Sequence, residues 1–197
     1  MDESIAREYL ELNGFVTMPL RKGRAQSKRS QGEEGLDLYI RNTRFAEGDR
    51  PPAFLLFSSE LRLLQSAVVC VRGWHNEKAA LAAMKNGADM LRYVESNVLK
   101  KVDKWFEFEH WRELGETSFP KRILVAPAFP AQEAYRARIE SALREKGVDG
   151  ILSFKSMLLD IIDRVDTRHV YHNSDLLQIV RTFKTFDLIK DSQMNFL

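Results

Sequence analysis

The residues whose chemistry stands out in this sequence are an aspartate, a cysteine and an arginine on two predicted strands. Asp37 lies in segment 36–41, where apolar and polar residues alternate as in a half-buried strand. Cys70 and Arg72 are two positions apart in an apolar, β-branched strand, so both side chains point to one face. A charged arginine at the end of such a strand needs a partner or an opening to solvent. The functional hypotheses start from these three residues.

A basic stretch precedes the strand that carries Asp37. Segment 19–31 contains no acidic residue, and its basic residues are Arg21, Lys22, Arg24, Lys28 and Arg29. Acidic residues follow directly at Glu33 and Glu34. A basic loop beside an acidic cluster is what a site that handles phosphate groups requires. The alternative interpretation is a solvated surface loop in which these opposite charges pair with one another.

Composition limits the class of protein. The chain has 197 residues, 44% hydrophobic and 29% charged, which is typical of one globular domain. Its net charge of +2 is far from that of a dedicated nucleic-acid coat protein. Its one cysteine excludes an internal disulfide framework and any zinc site built on two or more cysteines. We find no apolar run of membrane-spanning length and no signal-peptide pattern, so we expect a soluble, cytoplasmic protein.

The spacing of apolar residues predicts the elements that position the candidate residues. We predict a helix at 3–13, strands at 15–20, 36–41, 53–57 and 67–71, helical structure over 76–106, a strand at 121–126, a helix at 131–146, a strand at 150–154, and helices at 155–165 and 174–189. The early strands can form an antiparallel meander, and a strand–helix–strand crossover follows. This order predicts an α/β fold with a mixed central sheet and flanking helices. We expect one domain over 1–197, with 155–197 as a C-terminal helical extension packed on it.

The order and spacing of these elements resemble the PD-(D/E)xK nuclease superfamily, which has the restriction-endonuclease-like fold. In that family a helix is followed by a meander that bears an Asp, and then by a strand that bears Glu-x-Lys. Here the segment GLDL around Asp37 resembles the Asp-bearing strand, and VVCVRGW at 68–74 resembles the Glu-x-Lys strand and its exit. Glu8, on the first helix, matches the acid that many members carry there. Segment 121–189 resembles the C-terminal half of small members, so the resemblance covers most of the chain.

Two departures from the family pattern affect its chemistry. The family uses carboxylates to hold Mg²⁺ and a lysine to orient or activate the attacking water. Cys70 stands in place of the glutamate, and a thiol suits zinc or copper rather than magnesium. Arg72 stands in place of the lysine; its guanidinium cannot act as a base, although it can clamp a phosphate or stabilise developing charge. The resemblance therefore implies a metal site that is eroded, with Asp37 as the one motif acid retained.

Three functional hypotheses follow. In the first, the chain binds nucleic acid, most simply DNA, through the basic residues of segment 21–29, with Arg72 lining the former cleft. In the second, Asp37, Glu34 and Glu8 rebuild a Mg²⁺ cage, with Glu33 as the substitute for Glu34. The chain is then a metal-dependent DNA nuclease whose catalytic residues are Asp37, Glu34 and Arg72. In the third, it is a structural or regulatory homodimer that uses its aromatic patch and C-terminal helices.

Two other groups of residues have structural interpretations. His169 and His172 have a spacing that can bind zinc on a helix, but their segment reads as a loop, which favours surface histidines. An aromatic cluster surrounds His110, and it indicates hydrophobic packing or a dimer surface rather than base stacking. Its members are Trp105, Phe106, Phe108 and Trp111.

Overall fold

The computed structural model describes residues 2–20, 37–45, 48, 50–72, 82–107 and 111–189. Its strands are β1 (Phe15–Pro19), β2 (Leu38–Asn42), β3 (Leu55–Leu56), β4 (Ser66–Val71), β5 (Lys121–Ala126) and β6 (Gly150–Ser153). They form one sheet in the order β1-β2-β4-β5-β6-β3. β1, β2 and β4 are antiparallel neighbours, whereas β4, β5, β6 and β3 pair in parallel. This arrangement confirms the predicted α/β fold with a mixed central sheet.

Helices cover both faces of the sheet. They are α1 (Asp2–Leu12), α2 (Ser58–Leu61), α3 (Gly87–Tyr93), α4 (Val102–Trp105), α5 (Glu133–Glu145), α6 (Phe154–Arg164) and α7 (Asp175–Thr185). A π-helical segment, Val94–Val98, follows α3 directly and precedes α4. Residues Trp111–Leu114 form a 3₁₀ helix. Residues of α3, α4 and α5 pack with Val68 and Cys70 on one face, and residues of α1, α6 and α7 pack with Val69 on the other. Two core layers therefore enclose β4, which is buried along its whole length.

The helical pattern predicted over 76–106 divides into shorter pieces in the residues that the structure describes. The Asn86 side chain accepts hydrogen bonds from the backbone N–H groups of Ala88 and Asp89, which caps the start of α3. Gly87, the first residue of α3, lies where α3 and α5 approach closely. A Cβ atom at this position would lie 2.5 Å from Cδ2 of Tyr135. The packing of Tyr135 therefore leaves room for glycine alone at this position.

Other element boundaries differ by a few residues from the predicted ones. The strand predicted at 53–57 contains only Leu55–Leu56, and the short helix α2 follows it from Ser58. The last helix ends at Thr185 because Asp187 adopts a positive φ of 55°. Its predicted start is confirmed, since the Ser174 hydroxyl accepts a hydrogen bond from the backbone N–H of Leu177. In the part of the chain described, we find no helix with the length and apolar character that crossing a bilayer requires.

Candidate functional site

The antiparallel register of β2 and β4 brings Asp37 beside Arg72. Leu38 is opposite Val69 in this register, and the backbone N–H of Asp37 donates to the carbonyl oxygen of Val69 at 3.0 Å. The backbone N–H of Arg72 donates at 3.0 Å to the carbonyl oxygen of Val125 on β5. Both candidate residues therefore lie just outside regular strands, at the same end of the central sheet, where backbone hydrogen bonds fix their positions.

Arg72 and Asp37 form an ion pair that is largely removed from solvent. Arg72 Nη1 lies 3.0 Å from Asp37 Oδ2, and the exposed fractions of the two side chains are 11% and 21%. The same Oδ2 atom accepts a hydrogen bond from the backbone N–H of Val71 at 2.6 Å. Arg72 Nη1 also donates to the carbonyl oxygen of Val71 at 2.7 Å. The two charges neutralise each other within a network that includes the end of β4.

The ring of Trp105 packs against the Arg72 guanidinium. The Arg72 Cζ atom lies 4.7 Å from the centroid of the Trp105 ring, a cation–π distance. Trp105 itself is buried in the core layer formed by α3, α4 and α5. Arg72 is therefore fixed by a carboxylate, a carbonyl oxygen and an aromatic face, which leaves it little freedom to move.

Burial raises the pKa of the Asp37 carboxyl above its usual value. The positive charge of Arg72 and the hydrogen bond from Val71 both lower this pKa and offset part of the effect, whereas the negative charge of Glu3 raises it further. Among these groups, Arg72 is the one whose charge most favours the ionised carboxylate. The charge of Arg72 therefore offsets part of the effect of burial on the pKa of Asp37.

The predicted metal ligands are not assembled by the residues that the structure describes. Glu34, with Glu33, lies outside those residues. Glu8 lines a groove of about 580 Å³ between α1 and segment 169–174, and the acid of α1 whose charge raises the pKa of Asp37 is Glu3. Within the described ranges, no three His, Cys, Asp or Glu side chains are grouped in a way that could hold a metal ion.

The described residues on either side of the basic segment, Leu20 and Asp37, are bonded to each other at the site. Arg21, Lys22, Arg24, Lys28 and Arg29 lie outside the described residues. Its flanking residues are described: the backbone N–H of Leu20 donates to the carbonyl oxygen of Asp37 at 3.0 Å, and Pro19 is opposite Leu38 across β1 and β2. Positions 20 and 37, between which the chain is not described, are therefore neighbours at the edge of the candidate site.

The remaining candidates have structural positions. Cys70 is fully buried in the core, as its apolar strand predicts. His169 and His172 are exposed in a segment that is not helical, which confirms the interpretation as surface histidines. Trp111 packs edge-to-face on Phe119 at a centroid distance of 5.8 Å. The predicted aromatic cluster is thus divided, because Trp105 and Phe106 are core residues; its other members, Phe108 and His110, lie outside the described residues.

Two contacts near the site are not indicated by the sequence. One is the packing of Trp105 on Arg72, and the other is the hydrogen bond that the Tyr39 hydroxyl donates to the Glu116 carboxylate. Burial, with the bond to Glu116, raises the pKa of Tyr39 to about 12. Glu116 follows Tyr39 by 77 positions and lies in a loop, so no local periodicity indicates the pair.

Comparison with known proteins identifies no relative of this chain. No family model matches the chain, and neither a curated protein nor a solved structure is significantly similar to it. The resemblance stated above therefore depends on the order of elements and on the residues around Asp37 and Arg72.

Proposed function

We propose that this chain binds nucleic acid on a restriction-endonuclease-like scaffold whose metal site is eroded. The observation that carries the proposal is the bond from Arg72 Nη1 to Asp37 Oδ2. A carboxylate that holds Mg²⁺ directs an oxygen to the cation; here Oδ2 accepts hydrogen bonds from Arg72 and Val71, and the adjacent guanidinium charge repels a second cation. Arg72 occupies the position that resembles the family's lysine, and it neutralises the acid instead of assisting a metal-bound water.

The ion pair changes how this end of the sheet interacts with phosphate. An isolated Asp37 carboxylate would repel the phosphate groups of a nucleic acid, whereas the pair with Arg72 carries no net charge. Because the Asp37–Arg72 pair is neutral, the basic residues of segment 21–36 should dominate the electrostatic potential near Leu20 and Asp37. The same change that weakens a metal site therefore removes a source of repulsion against nucleic acid.

The basic segment supplies the attraction in this proposal. Its five basic residues release counterions when they meet phosphates, so the affinity falls steeply as salt rises. The net charge of the whole chain is only +2, which gives little general attraction to DNA. Binding should therefore depend on the local cluster and not on overall charge. This separates the proposal from non-specific adsorption.

The test compares two variants with equal net charge. One replaces Arg21, Lys22, Arg24, Lys28 and Arg29 by glutamine. The control replaces five exposed basic residues at other places: Arg62, Lys100, Lys104, Lys155 and Arg168. We expect fluorescence anisotropy with a labelled DNA duplex at low salt to show at least a tenfold loss of affinity in the first variant and no more than about a twofold loss in the control. Equal losses, or no binding by the wild type, would contradict the proposal.

A cleavage assay tests the eroded metal site separately. Wild-type protein and the Asp37→Ala variant are incubated with supercoiled plasmid in the presence of Mg²⁺ or Mn²⁺. We expect both to leave the plasmid intact. Metal-dependent cleavage that disappears in Asp37→Ala would overturn this part of the proposal and would make Glu34 and Glu8 the next ligands to test. Cleavage that is equal in both proteins would indicate a contaminating nuclease or a site that does not use Asp37.

A further inference from the structure

Two arginines and two aromatic rings form a continuous stack before and at the start of β5. The rings of Trp111 and Phe119 pack edge-to-face, with centroids 5.8 Å apart and an angle of 60° between their planes. The Arg112 Cζ atom lies 5.1 Å from the centroid of the Trp111 ring, and the Arg122 Cζ atom lies 4.8 Å from that of the Phe119 ring. We call these four side chains the arginine–aromatic stack.

The arginine–aromatic stack lies on the same face of the sheet as the Asp37 carboxylate. Tyr39, on β2, follows Asp37 by two positions, the spacing of side chains on one face of a strand. The Tyr39 hydroxyl donates to the Glu116 carboxylate, which attaches the loop that precedes Phe119 to that face. Leu20, which is bonded to Asp37 through the backbone, packs on the same core layer as Phe119. Nucleic acid held beside Leu20 and Asp37 therefore has the stack next to it on the sheet.

The cations around the stack are matched by acids. They are Arg112, Lys121 and Arg122 against Glu113, Glu116 and Asp149. The Lys121 Nζ atom lies 2.9 Å from Asp149 Oδ1. Balanced charges give little general attraction to phosphate groups. A contribution of the stack to nucleic-acid binding therefore comes from its rings, and it should add little to the salt dependence.

Trp111 differs from the other aromatic residues of its segment because it lies outside the core. The sequence favours hydrophobic packing over base stacking for this group, and Trp105 and Phe106 are buried accordingly. Trp111 begins a 3₁₀ helix that contains no buried residue, and Arg112, which lies over its ring, is exposed. A guanidinium over a ring at an exposed site is held more weakly than a base that stacks on an aromatic ring. A base can therefore replace Arg112 over the indole ring.

We propose that Trp111 stacks with an unpaired base, so that this chain binds single-stranded segments of nucleic acid at the arginine–aromatic stack. The inference rests on the proposed nucleic-acid binding and adds the form of nucleic acid that the chain takes. An unpaired base has an exposed face, whereas the bases of a duplex are covered by their neighbours. Arg112, displaced from the ring, can then pair with a phosphate next to the bound base.

The experiment measures by fluorescence anisotropy the affinity of the full chain for three probes of equal length. They are a single-stranded oligonucleotide of thymidines, an abasic oligonucleotide with the same phosphates, and a duplex. We expect the wild type to bind the single strand about fivefold or more tightly than the abasic probe. Trp111→Leu should remove this difference, leave the affinity for the abasic probe and the duplex within about twofold, and keep the salt slope, because no cation is removed.

Phe57→Leu is the matched control, because Phe57 is 48% exposed and lies beside β3, at the opposite edge of the sheet from β1. It should leave the affinity for all three probes unchanged. Circular dichroism establishes that each variant is folded. If Trp111→Leu fails to fold, Phe119→Leu is the second test, with the same pattern of losses expected because Phe119 holds the Trp111 ring in place.

Three results would overturn the inference. They are equal affinity of the wild type for the single-stranded and abasic probes, an unchanged affinity of Trp111→Leu for the single strand, and equal weakening by Phe57→Leu. Binding of the abasic probe and the duplex in these cases would leave the proposed function intact. A wild type that binds none of the three probes would contradict the proposed function itself, and the inference with it.

Discussion

Replacing Arg72 by methionine removes the cation that pairs with the partly buried Asp37 carboxylate. The Nη1–Oδ2 distance is 3.0 Å, and the Asp37 side chain is 21% exposed. Methionine is similar in length to the apolar part of arginine and still contacts the ring of Trp105, so the main change is the loss of charge. The variant therefore measures what the ion pair contributes to folding.

The expected loss is about 2–3 kcal/mol of the free energy of unfolding at neutral pH. Breaking a fully buried ion pair by removing one partner costs about 3–5 kcal/mol. The expected loss is smaller than that range because Asp37 keeps its hydrogen bond from the Val71 backbone and some contact with solvent. Loss of the guanidinium from the Trp105 face adds about 0.5–1 kcal/mol and keeps the total within this range.

The loss should depend on pH with a defined sign. Burial already raises the pKa of Asp37, and without Arg72 the group that most lowers this pKa is gone. A carboxyl whose pKa is higher in the folded than in the unfolded state favours folding below the unfolded pKa, and that contribution disappears as pH rises through the folded pKa. The difference between wild type and Arg72→Met should therefore shrink as pH falls from 7 towards about 4.

Urea denaturation followed by far-ultraviolet circular dichroism at several pH values provides the measurement. Arg92→Met is the matched control, because Arg92 pairs with Asp89 on the surface, where the side chains are 77% and 46% exposed. Exposed pairs contribute little, so this variant should lose less than about 0.5 kcal/mol. A loss in Arg72→Met as small as that of the control, or a loss that does not change with pH, would refute the account of the Asp37–Arg72 pair.

Two further predictions concern stability away from the site. Glu60→Gln should lower the urea midpoint at neutral pH, because the Glu60 carboxylate accepts bonds from Arg50 and from the Ala53 N–H. These bonds lower the pKa of Glu60 in the folded protein. The carboxylate therefore contributes to the free energy of unfolding at neutral pH, and this contribution is lost as pH falls through the folded pKa. Glu60→Gln should lack this acid-dependent loss of stability. Ser174→Ala removes the cap of α7 and should cost about 1 kcal/mol in urea denaturation, whereas Ser141→Ala, on an exposed part of α5, should have a much smaller effect.

The fold class could be predicted from the sequence because the patterns that indicate its strands are local. The alternation at 36–41 and the β-branched run before Arg72 predict strands by their own side chains, and the structure has β2 and β4 there. The pattern over 76–106 is compatible with one long helix or with two in series, and periodicity does not decide between them. The structure adds the Asn86 cap at the start of α3 and the close packing of α5 at Gly87, which are properties of the tertiary structure.

Only part of the candidate site could be predicted from the sequence. Spacing along β4 indicates that Cys70 and Arg72 share a face, but the bond from Arg72 to Asp37 depends on the register between β2 and β4. Register is set by long-range packing and turn geometry, so a single strand pattern does not determine it. The contact with Trp105 requires, in addition, the placement of α4 against the sheet.

The salt dependence of DNA binding tests the central claim most directly. If the five basic residues of segment 21–29 each neutralise one phosphate, the slope of log affinity against log salt is about −4.5, and affinity falls a few hundredfold between about 50 and 200 mM salt. We predict a slope close to this value for the wild type and for the control variant with five other basic residues replaced. The variant without the basic residues of segment 21–29 should have a slope near zero. Slopes that are equal in all three proteins would contradict the assignment of nucleic-acid binding to this segment.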